Sequence, residues 1–493
     1  MTTIVQPVVR SLLVGAVCVG LASPCAAADT HAGTPAPDPF AGKAAYAQHC
    51  ARCHGVTGAG DGRDAARLYP KPRNFTEGVY KFRATPSGTP PTDEDLFHTL
   101  TAGLPGSGMP DWAHLDESVR WQLVAYVKSL SPTFQDTPPQ PIALGEDPGP
   151  KRADFAKGKQ VYEQLGCAAC HGPQGRANGS SAKTLVDNWG RPIRPANLTE
   201  GWNYRGGSDP KAIVTRVLAG MDGTPMPSYA EAASPDDVWQ MAYYVQSLQR
   251  RPHWSMIVHA LPLTGALPDT VEDPRWEPAE AADVRMRNVV QPSGELTGAQ
   301  SITTVTLQAV YNAEAVGFRV SWTDPSEERT EPADALALAF HPVTVRGDVV
   351  TLQTWPMRDS PALDVVGWSA QRQQAVEAVA KNYESVWQAG PSSVTRSLQA
   401  RYQDGQWDVV VTRPLHPADV EGAAQLSAGQ FVPLAFALWD GGNPEQRAVS
   451  SWIDVVLQHP PVKAAAPDPS LMAVWVLAAL VLIVGLVLVF RRS

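Results

Sequence analysis

Two stretches of the chain set a pair of thiols and an imidazole at identical spacing: Cys50 and Cys53 before His54, and Cys167 and Cys170 before His171. Two thiols one helical turn apart can add to the two vinyl groups of one porphyrin, and the adjacent histidine then meets the iron. C-x-x-C-H is therefore an attachment site for covalent c-type haem. A zinc site would want further Cys or His at ligand spacing, and a redox dithiol would want a thioredoxin-like βαβ context without a trailing His. Two complete copies fit neither. Of the six cysteines, the remaining Cys18 and Cys25 fall in an N-terminal leader, so no thiol is left for a structural disulfide.

The second axial ligand should be soft and arrive on a loop from the other haem face. Met109, in Gly108-Met109-Pro110, and Met226, in Pro225-Met226-Pro227, qualify; each lies fifty-five residues after its histidine. A neighbouring proline stiffens the loop, and a thioether favours ferrous iron and so raises the potential. Met221 competes with Met226 but has no counterpart in the first copy, and Met241 falls in a helical stretch as packing. An iron closed by His and Met has no vacant position for substrate, which fits electron transfer. A dihaem peroxidase is the enzymatic alternative and would need one displaceable ligand.

The haem motifs are part of a longer duplication. Phe40-Ala-Gly-Lys-Ala-Ala-Tyr46 precedes the first and Phe155-Ala-Lys-Gly-Lys-Gln-Val-Tyr162 the second; Asn74-Phe-Thr-Glu-Gly78 and Asn197-Leu-Thr-Glu-Gly201 follow. Arg120 to Val127 and Val238 to Val245 then repeat an aromatic helical pattern. The first and last helices of each unit should cross. Gly42 and Gly158 either permit that crossing or are tolerated helix defects. The two units resemble class I c-type cytochromes over residues 38–250, with domains at 38–131 and 153–250. The resemblance implies an all-α fold per haem, with His54 and Met109 on one iron and His171 and Met226 on the other. Residues 132–152, rich in proline, read as a stiff linker.

From about His253 the pattern turns to period two, as in Thr304 to Ala309, and again at Ala315 to Trp322, Asp334 to His341, Trp407 to Arg413, Phe431 to Trp439 and Ser450 to Leu457. With one helix expected near Gln371 to Gln388, this predicts an antiparallel β-sandwich over residues 270–458. Taken alone, such a sandwich could be a sugar-binding or structural module. The runs Phe318 to Pro325, Asp334 to Leu338, Trp355 to Asp359, Ala435 to Gly441 and Ser450 to Trp452 are similar to the ethylbenzene dehydrogenase gamma-subunit family, the b-haem subunits of periplasmic molybdenum enzymes. That resemblance implies a non-covalent haem b held by a Met and a Lys. Met357 matches the methionine, while Arg447 stands at the lysine position. A guanidinium stays protonated and has no free lone pair, so it is a poor iron ligand. His341 and His416 are the available substitutes.

The ends of the chain suggest an address. Arg10, the apolar run Leu12 to Ala22 and Ala26-Ala27-Ala28 read as a signal peptide over residues 1–28. Leu471 to Phe490 carries no charge and is long enough to span a hydrocarbon core of about 30 Å as one transmembrane helix. Arg491 and Arg492 place the tail in the cytoplasm and the domains in the periplasm, on the inner membrane. A net charge of −9 without a Lys/Arg cluster argues against nucleic acid. The expectation is a membrane-anchored dihaem electron-transfer subunit, working between a periplasmic redox enzyme, which the resemblance implies is molybdenum-containing, and a membrane or soluble carrier. A ligand-sensing module is the third reading, and a cytoplasmic tail of three residues offers it no output.

Overall fold

The structure, a computed structural model, describes residues 38–135, 139–290, 302–341, 362–381, 383–388, 397–418, 420–443 and 446–458. The leader, the apolar run at 471–490 and Met357 lie outside these residues. Among the described residues no helix is long and apolar enough to cross a membrane.

The first unit contains helices α1 (Pro39–His49), α2 (Ala51–His54), α3 (Asp93–Ala102) and α4 (Glu117–Ser129), and the second contains α5 (Phe155–Gln164), α6 (Ala168–His171), α7 (Pro210–Ala219) and α8 (Pro235–Leu248). Each start has a local cause. Thr92 and Asp95 close a capping box on α3, and Asp209 followed by Pro210 opens α7. Helix α1 packs on α4 and α5 on α8. The crossing glycines are required there: a Cβ on Gly42 would stand 2.1 Å from the Gln122 carbonyl oxygen, and one on Gly158 would stand 2.3 Å from that of Gln240. Gly158→Ala should therefore push α5 off α8 and cost about 1–3 kcal/mol in denaturant unfolding. A variant as stable as the parent would show that the contact yields freely.

A group of hydrogen bonds and an ion pair centred on Arg83 and Asp222 helps to fix the units to each other. Fully buried Arg83 donates to the carbonyls of Ala219 (3.0 Å) and Gly220 (3.2 Å) and pairs with Asp222 at 2.6 Å. Asp222 also accepts from Ser87 Oγ at 2.7 Å. Arg83→Met leaves these acceptors without their cation and should destabilise the docked pair by about 3 kcal/mol, read as a lowered unfolding midpoint. The proline-rich stretch is bound to both units: the Ile142 amide donates to Ala84 O, and Leu144 O accepts from Trp239 Nε1 at 2.7 Å. The spacing of the units thus comes from direct contact as well as from chain stiffness.

The C-terminal domain has strands β1 (Ile257–Pro262), β2 (Ala282–Val290), β3 (Thr304–Tyr311), β4 (Ala315–Thr323), β5 (Ala335–Phe340), β6 (Leu363–Ser369), β7 (Ala375–Ala380), β8 (Ser397–Gln403), β9 (Gln406–Pro414), β10 (Phe431–Trp439), β11 (Gln446–Ser450) and β12 (Ile453–Leu457), with helix α9 (Tyr383–Gln388). The period-two pattern is realised: Leu336, Leu338 and Phe340 of β5 and Leu434, Phe436 and Leu438 of β10 enter one core with Phe318 and Val320 of β4 and Val409 and Val411 of β9. The layers are not separate sheets. β1 runs parallel to both β3 and β12, closing β10, β11, β2, β3, β1 and β12 into a ring like a barrel. The antiparallel sandwich is corrected to that extent, because a strand entering from the second unit satisfies two open edges at once. The helix expected over Gln371 to Gln388 is also corrected. Ala375–Ala380 is a strand paired with β6, and only the six residues of α9 are helical. Val376 and Val379 suit that sheet edge, and pairing there outweighs the helix preference of the alanines.

Candidate functional site

The haem motifs sit on single-turn helices α2 and α6, whose ends are set by Gly55 and Gly172, both at φ near +80°. Their carbonyls accept from buried tyrosines: Tyr46 OH donates to Gly55 O at 2.8 Å and Tyr162 OH to Gly172 O at 2.7 Å. The first helix of each unit is thereby tied to its attachment motif by the same bond.

Each motif histidine is oriented through one ring nitrogen. His54 Nδ1 lies 3.0 Å from Arg73 O, and His171 Nδ1 lies 2.8 Å from Ala196 O. A proton on Nδ1 leaves Nε2 with the lone pair that iron needs. Burial lowers both imidazole pKa values, which favours this neutral ring. The thiols behave oppositely to reactive dithiols: burial pushes Cys50 up to about 12 and Cys167 up to about 11.

The methionine loops match in detail. Met109 N is bonded to Ser107 Oγ and Met226 N to Thr224 Oγ1, both at 3.2 Å. Leu104 N donates to Met109 O (3.1 Å), and Met221 N donates to Met226 O (3.0 Å). Met221 therefore does have a counterpart, Leu104, in the turn that carries the loop. That leaves Met226 as the equivalent of Met109. Met241 is buried in the core of the second unit.

Both sites open into one cavity of about 750 Å³. His54, Met109 and both cysteines of the first motif line it, as do His171, Met226 and both cysteines of the second. Thr303, Thr323 and Pro325 of the C-terminal domain reach its wall. The wall is apolar with embedded cations. Burial brings Lys81 down to about 8, helped by Arg73 and Arg205, and Arg216 down to about 10. Arg216 Nε and Arg194 Nη1 are buried without a hydrogen-bond partner among the described residues. Buried guanidinium donors around an apolar slot suit a flat, apolar macrocycle with carboxylate side chains, so the residues present fit haem. Sequence reasoning missed these cations, since each is brought to the cavity by tertiary packing.

The repeated Asn-x-Thr-Glu-Gly segment also has a role. In each copy the asparagine Oδ1 caps the threonine N–H at 3.0 Å. The glutamate then reaches the next domain: Glu77 accepts from Trp189 Nε1 at 2.9 Å, and buried Glu200 accepts from Thr303 (2.8 Å) and Thr323 (3.2 Å). In the C-terminal domain, Arg447 lies with its guanidinium carbon 6.0 Å from the Trp439 ring centre. His341 packs edge-on against Trp452 at 5.4 Å, on the sheet face that carries Trp439 and meets Trp387 of α9, while His416 is exposed beside Gln425.

Residues 40–131 and 155–249 match the cytochrome c family, so the two helical units are cytochrome c domains, which implies covalently bound haem c. The chlorate reductase subunit gamma of Ideonella dechloratans is 26% identical over 202 residues, spanning 40% of this chain and 80% of that subunit. A protein named as a respiratory nitrate reductase heme subunit in Haloferax mediterranei is 26% identical over 230 residues, spanning 43% of this chain and 75% of that one. In the solved reducing HAO-like protein complex of Kuenenia stuttgartiensis, one chain is 42% identical, with 44% of this chain and 99% of that chain covered at a TM-score of 0.42. Over these two domains the chain is similar to the haem subunits of chlorate and nitrate reductases.

Proposed function

We propose that the chain is an exported, membrane-anchored dihaem cytochrome c that relays single electrons between a redox enzyme outside the cytoplasm and a membrane or soluble carrier. The observation that carries this reading is the single cavity joining both attachment sites. Bound haem supplies a one-electron couple at iron. The protein would supply the rest: Cys50, Cys53, Cys167 and Cys170 would hold it covalently, and His54, His171, Met109 and Met226 would ligate iron. The matched methionine loops favour relay over peroxidase chemistry, because each would offer its haem a second protein ligand.

The partner in this reading is a molybdenum oxidoreductase of the nitrate, nitrite or chlorate kind. Support comes from the reductase subunits named above and from the resemblance of residues 270–458 to the ethylbenzene dehydrogenase gamma-subunit family. A haem b on that domain would need Met357 and a second donor other than Arg447; His341, beside Trp452, and His416 are the two histidines at hand. A pyridine haemochrome assay tests the count. Two haem c with one haem b supports the full reading, two haem c alone reduces the C-terminal domain to a docking platform, and one haem c removes the dihaem relay. For the anchor, a chain ended at Gln458 should fractionate as soluble protein while the full chain stays with membranes. Equal partitioning would remove the C-terminal anchor.

A further inference from the structure

Three of the sequence runs singled out above carry an aspartate at or next to one end, and these converge at one end of the β domain. Asp324 directly follows β4, Asp334 directly precedes β5, and Asp440 directly follows β10. Ala335 pairs with Trp439, so Asp334 and Asp440 leave the same end of neighbouring strands. Glu328, in the loop from β4 to β5, completes the group. One carboxylate oxygen from each of the four lies within 4.8 Å of all the others. Asp324 and Asp334 are 0% exposed and Asp440 is 3% exposed.

Asp334 has both oxygens satisfied, Oδ2 accepting from Trp407 Nε1 (3.0 Å) and Glu328 N (2.8 Å) and Oδ1 from Gly441 N (2.9 Å), which leaves Oδ1 a further lone pair. Asp324 and Asp440 are less well satisfied. Asp324 Oδ1 accepts from Ser326 N, and Asp440 Oδ2 faces Arg194 at 3.2 Å, but Asp324 Oδ2 and Asp440 Oδ1 are buried with no hydrogen-bond partner among the described residues. Two orphaned carboxylate oxygens in one interior are costly unless something positive lies between them. There is a common space for it. A Cβ on Gly442 would lie 3.0 Å from Asp440 Oδ1, 3.1 Å from Ser326 Oγ and 3.4 Å from Glu328 Oε1, so these oxygens face the same small volume.

The charge balance points the same way. Arg194 pairs with Asp440 and Lys183 with Glu328, which offsets two of the four carboxylates and leaves two. Burial holds the Asp324 carboxyl well above the usual range, with Asp440 and Asp334 adding to the effect, and burial pushes Asp334 up to about 7. Such a group holds either protons or a cation. We propose that Asp324, Glu328, Asp334 and Asp440 bind one hard divalent cation with the size and oxygen preference of calcium. Calcium–oxygen distances of about 2.3–2.6 Å put opposed ligands about 5 Å apart, which fits this spacing. Magnesium takes shorter bonds and retains several waters, and so suits an enclosed, all-carboxylate site less well. The cation would also fix Asp440 and Glu328, the two residues that Arg194 and Lys183 of the second cytochrome domain grasp.

The test uses the full haem-loaded protein, dialysed against EGTA and then resupplied with calcium alone. Elemental analysis should find one equivalent of calcium per chain, and none in an Asp324→Asn/Asp440→Asn variant of unchanged haem content. At calcium about 100 times the dissociation constant, the parent's melting temperature should rise by about 5–10 °C, and the variant's should not move. If the double variant fails to fold, Glu328→Gln, which alters the most exposed ligand, should weaken calcium binding about tenfold or more by calorimetry. No calcium bound by the parent at millimolar supply would overturn the proposal. So would an Asp324→Asn variant that melts above the parent in EGTA while the parent ignores calcium, since the cluster would then be held by protons.

Discussion

Replacing Cys50 and Cys53 together with serine should remove half of the covalently held pigment and leave the other half in place. The second motif has its own thiols on α6, its own oriented histidine and its own methionine loop, none of which depends on the first pair of sulfurs. Serine cannot form the thioether, so any haem that still enters the first pocket is released by denaturation. The readout is intact mass and haem-to-protein ratio of the exported chain under denaturing conditions. The mirror replacement of Cys167 and Cys170 should give the same halving. If either variant kept the full covalent load, the assignment of one haem per motif would be lost.

Met109→His should lower the midpoint potential of one haem and leave the other nearly unchanged. The loop that carries Met109 is pinned by Ser107 Oγ at the residue's own amide and by Leu104 N at its carbonyl. An imidazole grafted there would still be presented to the same pocket. Exchanging a thioether for a stronger donor favours ferric iron, and axial ligand identity spans about 0.8 V across haem proteins, so a drop on the order of 0.1 V or more is expected in a redox titration. The weak methionine-to-iron charge-transfer absorption should fall by half. Met226→His should produce the same change at the second haem, whereas Met221→Leu should not, because Leu104 already fills the matching turn position. A potential unmoved by Met109→His would take Met109 off the iron.

What the sequence disclosed and what it hid follow from the range of the interactions involved. Haem attachment is a local chemistry of five residues, and duplication printed it twice, so Cys50 to His54 and Cys167 to His171 could be read directly. The aromatic first and last helices were legible for the same reason, and Gly42 and Gly158, ambiguous by propensity, are explained by carbonyl oxygens more than seventy residues away. Contacts between units left no such trace. Arg83 is one arginine among many until Ala219, Gly220 and Asp222 are seen around it. The strand at Ala375–Ala380 was misread because its three alanines and Glu377 favour a helix locally, while its pairing partner β6 is a tertiary fact. Closure of the sheet by β1 was equally invisible, since period two identifies a strand's buried face and not its neighbours.

One hollow serving both cytochrome domains has an electrostatic corollary. Its apolar wall screens charge far less than water would, so a negative charge arriving near Met109 raises the energy of a second one near Met226. Loading should then be anticooperative: the titration of the intact protein spreads over a wider range of potential than the sum of two isolated domains, and salt in the bulk does little to narrow it.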